Sequence, residues 1–152
     1  MKWLCSLTLL FAFSCKSQNQ VLKDDNRLEV LIGMDYFLVA NPSIQIIEDA
    51  KTLKALYIQI NKTRKPGLPV PDIDFSKYKV LVAFIGEIYS KTFPKMYVQK
   101  ENASEIIVSV YMSEATESTN FKSYPFCMYS LRSEAKQVVL QMDALKIRSK
   151  YQ

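Results

Sequence analysis

The sequence predicts an α+β domain: a predominantly antiparallel β-sheet or sandwich with one helix packed on it. Three observations lead there. Val80-Leu81-Val82-Ala83-Phe84-Ile85 is the longest apolar run outside the N-terminus, and its bounds at Lys79 and Gly86 suit a strand buried on both faces. From Glu105 to Met112 apolar residues alternate, with Ile106, Val108, Val110 and Met112 on one face and Ile107, Ser109 and Tyr111 on the other. Leu53, Leu56, Tyr57 and Ile60 fall at the spacing of a single helical face. A chain of 152 residues is enough for one such domain and not two.

The first stretch reads as an address. Lys2 precedes an apolar run from Trp3 to Phe13, too short to span a bilayer as a helix and built like a secretory signal. Residues 1–14 are therefore assigned to a signal peptide. Ser14-Cys15 resembles a bacterial lipobox, with Phe13 where a small or β-branched residue is usual. Cys15 is then the lipidation site, and acyl chains on it give stable membrane anchoring. The polar segment from Lys16 to Arg27 has no apolar period, so residues 15–27 form a lipidated tether. Its reach is roughly 20 Å.

The folded domain is expected over residues 28–148. Leu28 to Ile32 and Tyr36 to Ala40 read as two strands around a tight connection at Gly33-Met34-Asp35. Ile44 to Ile47 suits a third short strand. Asp49 is a suitable N-cap for a helix running to Asn61. Pro66, Pro69 and Pro71 make Lys62 to Asp74 an extended surface connection. Lys62, Arg64 and Lys65 lie near the negative pole of the helix and are expected to complement it. After the central strand, Met96 to Gln99 begins a hairpin partner, and Glu101 to Ser104 carries turn chemistry. Ser113 to Tyr124 reads as a polar loop, and Phe126 to Leu131 and Val138 to Met142 as the closing strands.

Composition removes most chemistries. There is no histidine, which excludes a His-based triad, a Cys–His dyad and any His-ligated metal. Three glycines cannot build a Gly-rich phosphate loop. The net charge of +5 comes without a dense Lys/Arg stripe, so no nucleic-acid partner is expected. Cys127 alternates with Phe126 and Met128 and is expected to be a buried apolar thiol. Asp72 with Asp74, and Glu114 with Glu117, are carboxylate pairs by spacing alone, as solvated surfaces commonly show. No enzyme activity, cofactor or metal is expected.

Several short signatures occur in order: Ile60-Asn61, Ile73-Asp74-Phe75-Ser76, Val80-Leu81-Val82, Gly86-Glu87 and Ser123-Tyr124-Pro125-Phe126-Cys127-Met128-Tyr129. From about Ile44 to Gln141 the chain resembles the PrcB-like family, the protease complex subunit domain of bacterial lipoproteins. The leader ending in Ser14-Cys15-Lys16 resembles those of the Bacteroidetes type. After its Gly-Glu pair the family usually carries Thr-Gly-Gly-Tyr, where this chain has Ser90-Lys91-Thr92-Phe93. Glycine takes positive φ at little cost and β-branched Thr92 resists it, so the turn here is expected to follow another backbone path.

The resemblance implies a non-catalytic envelope lipoprotein that acts as a protein-binding accessory module for a partner such as an exported protease. Its place is the cell envelope, on the periplasmic or outer-membrane face. The membrane contact is the lipid on Cys15. Tyr89, Ser90, Lys91, Thr92 and Phe93 are the candidate partner-binding residues, since aromatics in loops are common anchors. The loop from Ser113 to Tyr124 is the second candidate. Two alternatives stay open: a proteinase inhibitor that inserts these loops into a cleft, and a small-molecule or glycan binder using Tyr97, Tyr111 and Tyr129.

Overall fold

The computed structural model describes residues 26–113, 118–134 and 136–142. The signal peptide, Cys15 and the tether up to Asp25 lie outside the described residues, as do Glu114, Glu117 and residues 143–148. The order of elements is β1 (Leu28–Tyr36), β2 (Ser43–Ile47), α1 (Ala50–Ile60), a 3-10 turn (Asn61–Thr63), β3 (Tyr78–Phe84), β4 (Ile88–Ser90), β5 (Pro94–Glu101), β6 (Glu105–Met112), β7 (Ser118–Ser123), β8 (Pro125–Arg132) and β9 (Gln137–Gln141). They form a four-stranded sheet β1-β8-β3-β2, a three-stranded sheet β5-β6-β9 and a two-stranded ribbon β4-β7. Pairing is antiparallel except between β6 and β9, which run parallel.

The apolar run from Val80 to Ile85 is buried throughout because the four-stranded sheet is covered on both faces. Successive side chains in a strand point to opposite faces. Leu81, Ala83 and Ile85 therefore join Cys127, Tyr129 and Leu131 of β8 against Val108, Val110 and Leu140 of the second sheet. Val80, Val82 and Phe84 join Phe126 and Met128 against Leu53, Tyr57 and Ile60 of α1. The fold is thus three layers deep, helix on sheet on sheet, with β3 and β8 dividing two apolar cores.

The helix starts and stops for local reasons. Asp49 has extended backbone, and its carboxylate accepts from the Thr52 amide at 2.8 Å and the Thr52 hydroxyl at 2.7 Å. Asn61 ends the helix and clips the Pro-rich connection to it. Its side-chain amide donates to the Leu68 carbonyl, and its side-chain oxygen accepts from the Leu68 amide, both at 2.8 Å.

Three expectations are corrected. Residues 28–40 do not form two strands, because β1 runs unbroken through Gly33-Met34-Asp35. Leu28 opposes Leu131 and Tyr36 opposes Pro125, so β8 offers pairing along the whole length. The surplus residues of β1 are absorbed in register shifts between Val30 and Ile32 and between Ile32 and Asp35. The stretch from Ser113 to Tyr124 is not all loop, since β7 lies within it. Arg64 does not serve the helix pole. Its guanidinium holds Asp35 in a two-pronged ion pair, both contacts 2.8 Å, and donates to the Tyr36 carbonyl at 2.7 Å.

The two sheets share their poles. At one pole Leu28 meets Leu131, Tyr78 meets Arg132, and Arg27 pairs with Glu101. At the other, Tyr36 meets Pro125, Phe84 meets Phe126, and the Tyr36 ring packs on Phe93 with centroids 5.1 Å apart. The length of β1 sets these poles roughly 25 Å apart. The β4-β7 ribbon sits at the second pole.

Candidate functional site at the ribbon pole

Gly86 lets the chain leave the central sheet. It has φ +81, and a Cβ there would stand 2.9 Å from the Ala40 carbonyl oxygen and 3.0 Å from Pro42. Only glycine fits this turn without strain. The next residue, Glu87, begins the excursion into the ribbon, its amide donating to the Ala40 carbonyl at 3.4 Å.

The ribbon is uneven. Ile88 opposes Ser123 and Ser90 opposes Ser118, so β7 uses more residues than β4 over the same span. The excess arches outward, and the Thr119 hydroxyl donates to the Phe121 carbonyl at 2.9 Å within it. Phe121 stands on the arch 80% exposed. Below it the Ser123 hydroxyl donates to the Ser90 carbonyl at 2.9 Å, tying arch to β4.

Glu87 gathers the base of the arch. Its carboxylate accepts from the Tyr124 hydroxyl at 2.9 Å, from Lys122 at 3.1 Å and, more loosely, from the Tyr89 hydroxyl at 3.4 Å. The Lys122 hydrogen bond, then that from Tyr124, hold the Glu87 carboxyl below its ordinary range. The same carboxylate pushes the Lys122 ammonium up, and pushes the Tyr124 phenol up with help from burial.

The predicted turn residues occupy distinct environments. Ser90 and Thr92 are buried, Tyr89 and Phe93 are half-buried, and Lys91 is exposed. The Thr92 hydroxyl donates to the Ser113 carbonyl at 2.6 Å, joining the two candidate loops. Among the described residues only Gly86 and Glu134 have positive φ, so Lys91 and Thr92 take the different backbone path that their side chains require. The Ser90 hydroxyl is buried and has no hydrogen-bond partner among the described residues. Such a group costs about 1–3 kcal/mol until a partner reaches it.

Two hollows flank Tyr36. One, of about 270 Å³, has walls of Phe121, Tyr124 and Ser90 with Lys91 and Lys122 on its rim. The other, of about 280 Å³, is walled by Leu38 and Ile60 with Lys62 and Arg64. Tyr36 belongs to both, and the Arg64–Asp35 clamp fixes its backbone. Tyr36 and Leu38 are 42% and 74% exposed, giving this pole a row of uncovered apolar side chains with Phe121.

The sequence named Tyr89 to Phe93 and Ser113 to Tyr124 as separate candidates without joining them, and it missed Tyr36, Leu38 and the prominence of Phe121; the Thr92–Ser113 bond is what brings the two stretches together. A lone aromatic in a polar stretch was the available signal for Phe121; Tyr36 and Leu38 gave none, because they were read as strand. The tyrosines proposed for a glycan do not assemble. Tyr97 and Tyr111 meet edge to face at 5.5 Å on the outer surface of the second sheet, while Tyr129 is buried in the core between the sheets. Cys127 is fully buried, and desolvation pushes its thiol far above the ordinary range, opposed only by a backbone hydrogen bond involving Ala83. Among the described residues there is no group of three Cys, Asp or Glu side chains able to hold a metal ion, and no helix long and apolar enough to cross a membrane.

No protein-family model, curated protein or solved structure matches this chain.

Proposed function

We propose that this chain is a non-catalytic lipoprotein of the cell envelope, anchored through lipid on Cys15, that binds a protein partner with its ribbon pole. The observation that carries the reading is Phe121, a large apolar side chain held 80% exposed on a braced arch. At an interface such a side chain would serve as an anchor. Tyr36 and Leu38 extend the same uncovered row. The position of the arch also fits. Leu28, where the tether would join, lies at the opposite pole of β1 from Tyr36, so a domain held by its N-terminus points the arch away from the membrane. The resemblance to the PrcB-like family supports an exported protease as the partner.

Two measurements test this. Cys15→Ser should release the mature product from the membrane into soluble fractions; retention of the variant on the membrane overturns the anchoring. Affinity capture from native envelope should recover one stoichiometric protein, and Phe121→Ala should weaken that capture by at least tenfold. Unchanged capture removes the ribbon pole from the interface. The projecting arch also suits entry into a protease cleft, so inhibition of a protease panel at micromolar concentration would make the chain an inhibitor.

A further inference from the structure

We propose that the solvent face of α1 docks on an anionic bilayer surface and so gives the anchored domain a second membrane contact. This rests on the envelope-anchoring reading above and is independent of the partner at the ribbon pole.

From Ala50 to Pro71 the chain carries five cations and no carboxylate. Arg64 is committed to Asp35. The other four, Lys51, Lys54, Lys62 and Lys65, are exposed and form no ion pair with any described carboxylate. The acids just before the helix are occupied: Asp49 holds the Thr52 amide and hydroxyl, and Glu48 pairs with Lys79. Lys51 acts on Asp49 only weakly and through space. Leu53, Leu56, Tyr57 and Ile60 turn one side of α1 into the sheet. That sends Lys51, Lys54 and Ile58 to the opposite side, at the i, i+3, i+7 spacing of one helical face. Ile58 is 58% exposed there, and Lys62 and Lys65 follow directly after the helix end. A cationic face with an uncovered aliphatic side chain is complementary to an anionic, partly apolar surface.

The placement of the face favours a bilayer as its occupant. β2 ends with Ile47 opposite Val80, near the pole where Leu28 meets Leu131, and α1 begins shortly after. The helix then runs back toward Tyr36, since Ile60 and Lys62 line the hollow beside that residue. The cationic face therefore starts at the pole where the tether would join. A tether reaching roughly 20 Å lets the domain lie down on a helix roughly 16 Å long. The tether alone leaves the arch pointing outward; docking of α1 lays the sheet along the bilayer and turns the arch to the side. For a protein partner the same face is a poor match, because Ile58 is a single large apolar side chain where an interface core needs a cluster. A bilayer needs only lysines within about 10 Å of its phosphates, and each contributes about fivefold.

The test uses the full chain reconstituted through its anchor in nanodiscs of phosphatidylcholine, with or without phosphatidylglycerol, each doped with a spin-labelled lipid headgroup. Cys127 is buried, so a fluorophore can be attached at Ile58→Cys, and in a control at Lys95→Cys in β5 of the second sheet. Quenching at position 58 should be at least fivefold stronger in the discs with phosphatidylglycerol and should fade as salt rises; position 95 should stay unquenched in both. Lys51→Glu with Lys54→Glu should return position 58 to its level in phosphatidylcholine, and both side chains are exposed, so the fold is spared. Equal quenching in the two discs, quenching that ignores salt, or quenching that survives the double reversal overturns the proposal. So does a double reversal that abolishes envelope capture without any lipid effect, which assigns the face to an acidic protein. If Cys15→Ser shows that the lipid anchor is absent, the anchoring reading falls by itself. The labelled chain added to the same discs should then still prefer phosphatidylglycerol, and a lack of preference removes the α1 face as well.

Discussion

At the scale of single residues, the ribbon pole depends on one glycine and one carboxylate. Gly86 combines positive φ with a carbonyl 2.9 Å from where a Cβ would be. Gly86→Ala should cost roughly 1–3 kcal/mol from the backbone conformation alone, with the clash against Ala40 added, and chemical denaturation measures it. A variant as stable as the parent would mean that the turn can relax. Glu87 makes the pole sensitive to acid. Its folded carboxyl titrates below the ordinary value of 4.5, so its contribution is complete above that pH and is lost as the pH falls through the lower folded value. The Tyr124 ring resonances should stay constant from neutral pH to about 5 and shift only below the ordinary Glu value of 4.5. Glu87→Gln should abolish that step. A titration midpoint above the ordinary range would contradict the bonding described.

At the scale of elements, α1 is held by its cap and by one apolar face. Removing the Asp49 carboxylate strips both bonds to Thr52, and Asp49→Ala should cost about 1 kcal/mol. Leu53 is 1% exposed between α1 and the central sheet, and Leu53→Ala should cost about 2–5 kcal/mol. Thermal or urea unfolding of the two variants should preserve this order; a larger loss at the cap would mean that the helix is stabilised locally more than by packing. β4 has only three residues, and it is held in place by its pairing with β7 and by the Thr92–Ser113 bond that follows it.

At the scale of the whole molecule, β8 is the shared wall. It pairs with β1 on one side and β3 on the other, and its alternate side chains enter both cores. Cys127 lies in the middle of it at zero exposure. Its thiol should therefore react with iodoacetamide only when the domain opens globally, at a rate that tracks the unfolding equilibrium. Labelling under native conditions at a rate independent of denaturant would show that β8 opens locally and that the two cores are not one cooperative unit.

What was legible in the sequence was what short-range pattern controls. The helix, its Asp49 cap and the alternation from Ile106 to Met112 follow from side-chain periodicity, which the backbone imposes wherever the chain folds. The double burial of Val80 to Ile85 follows from the length of an uninterrupted apolar run. The α+β class was legible for the same reason. Periodicity could not say that Gly33-Met34-Asp35 would be absorbed as bulges, because a turn and a bulge use the same residue types and only the length of the β8 partner decides between them. Nor could it say that Arg64 would reach Asp35, far away in the chain, in preference to the helix end beside it. The candidate surface shows the same division. Lys91 and Thr92 announced an altered turn by lacking glycine's freedom, but Tyr36 with Leu38 on one side and Phe121 on the other belong to two segments far apart in the chain, with no common local signal. Their meeting at one pole is decided by strand register, a long-range property set when the sheets pair and pack.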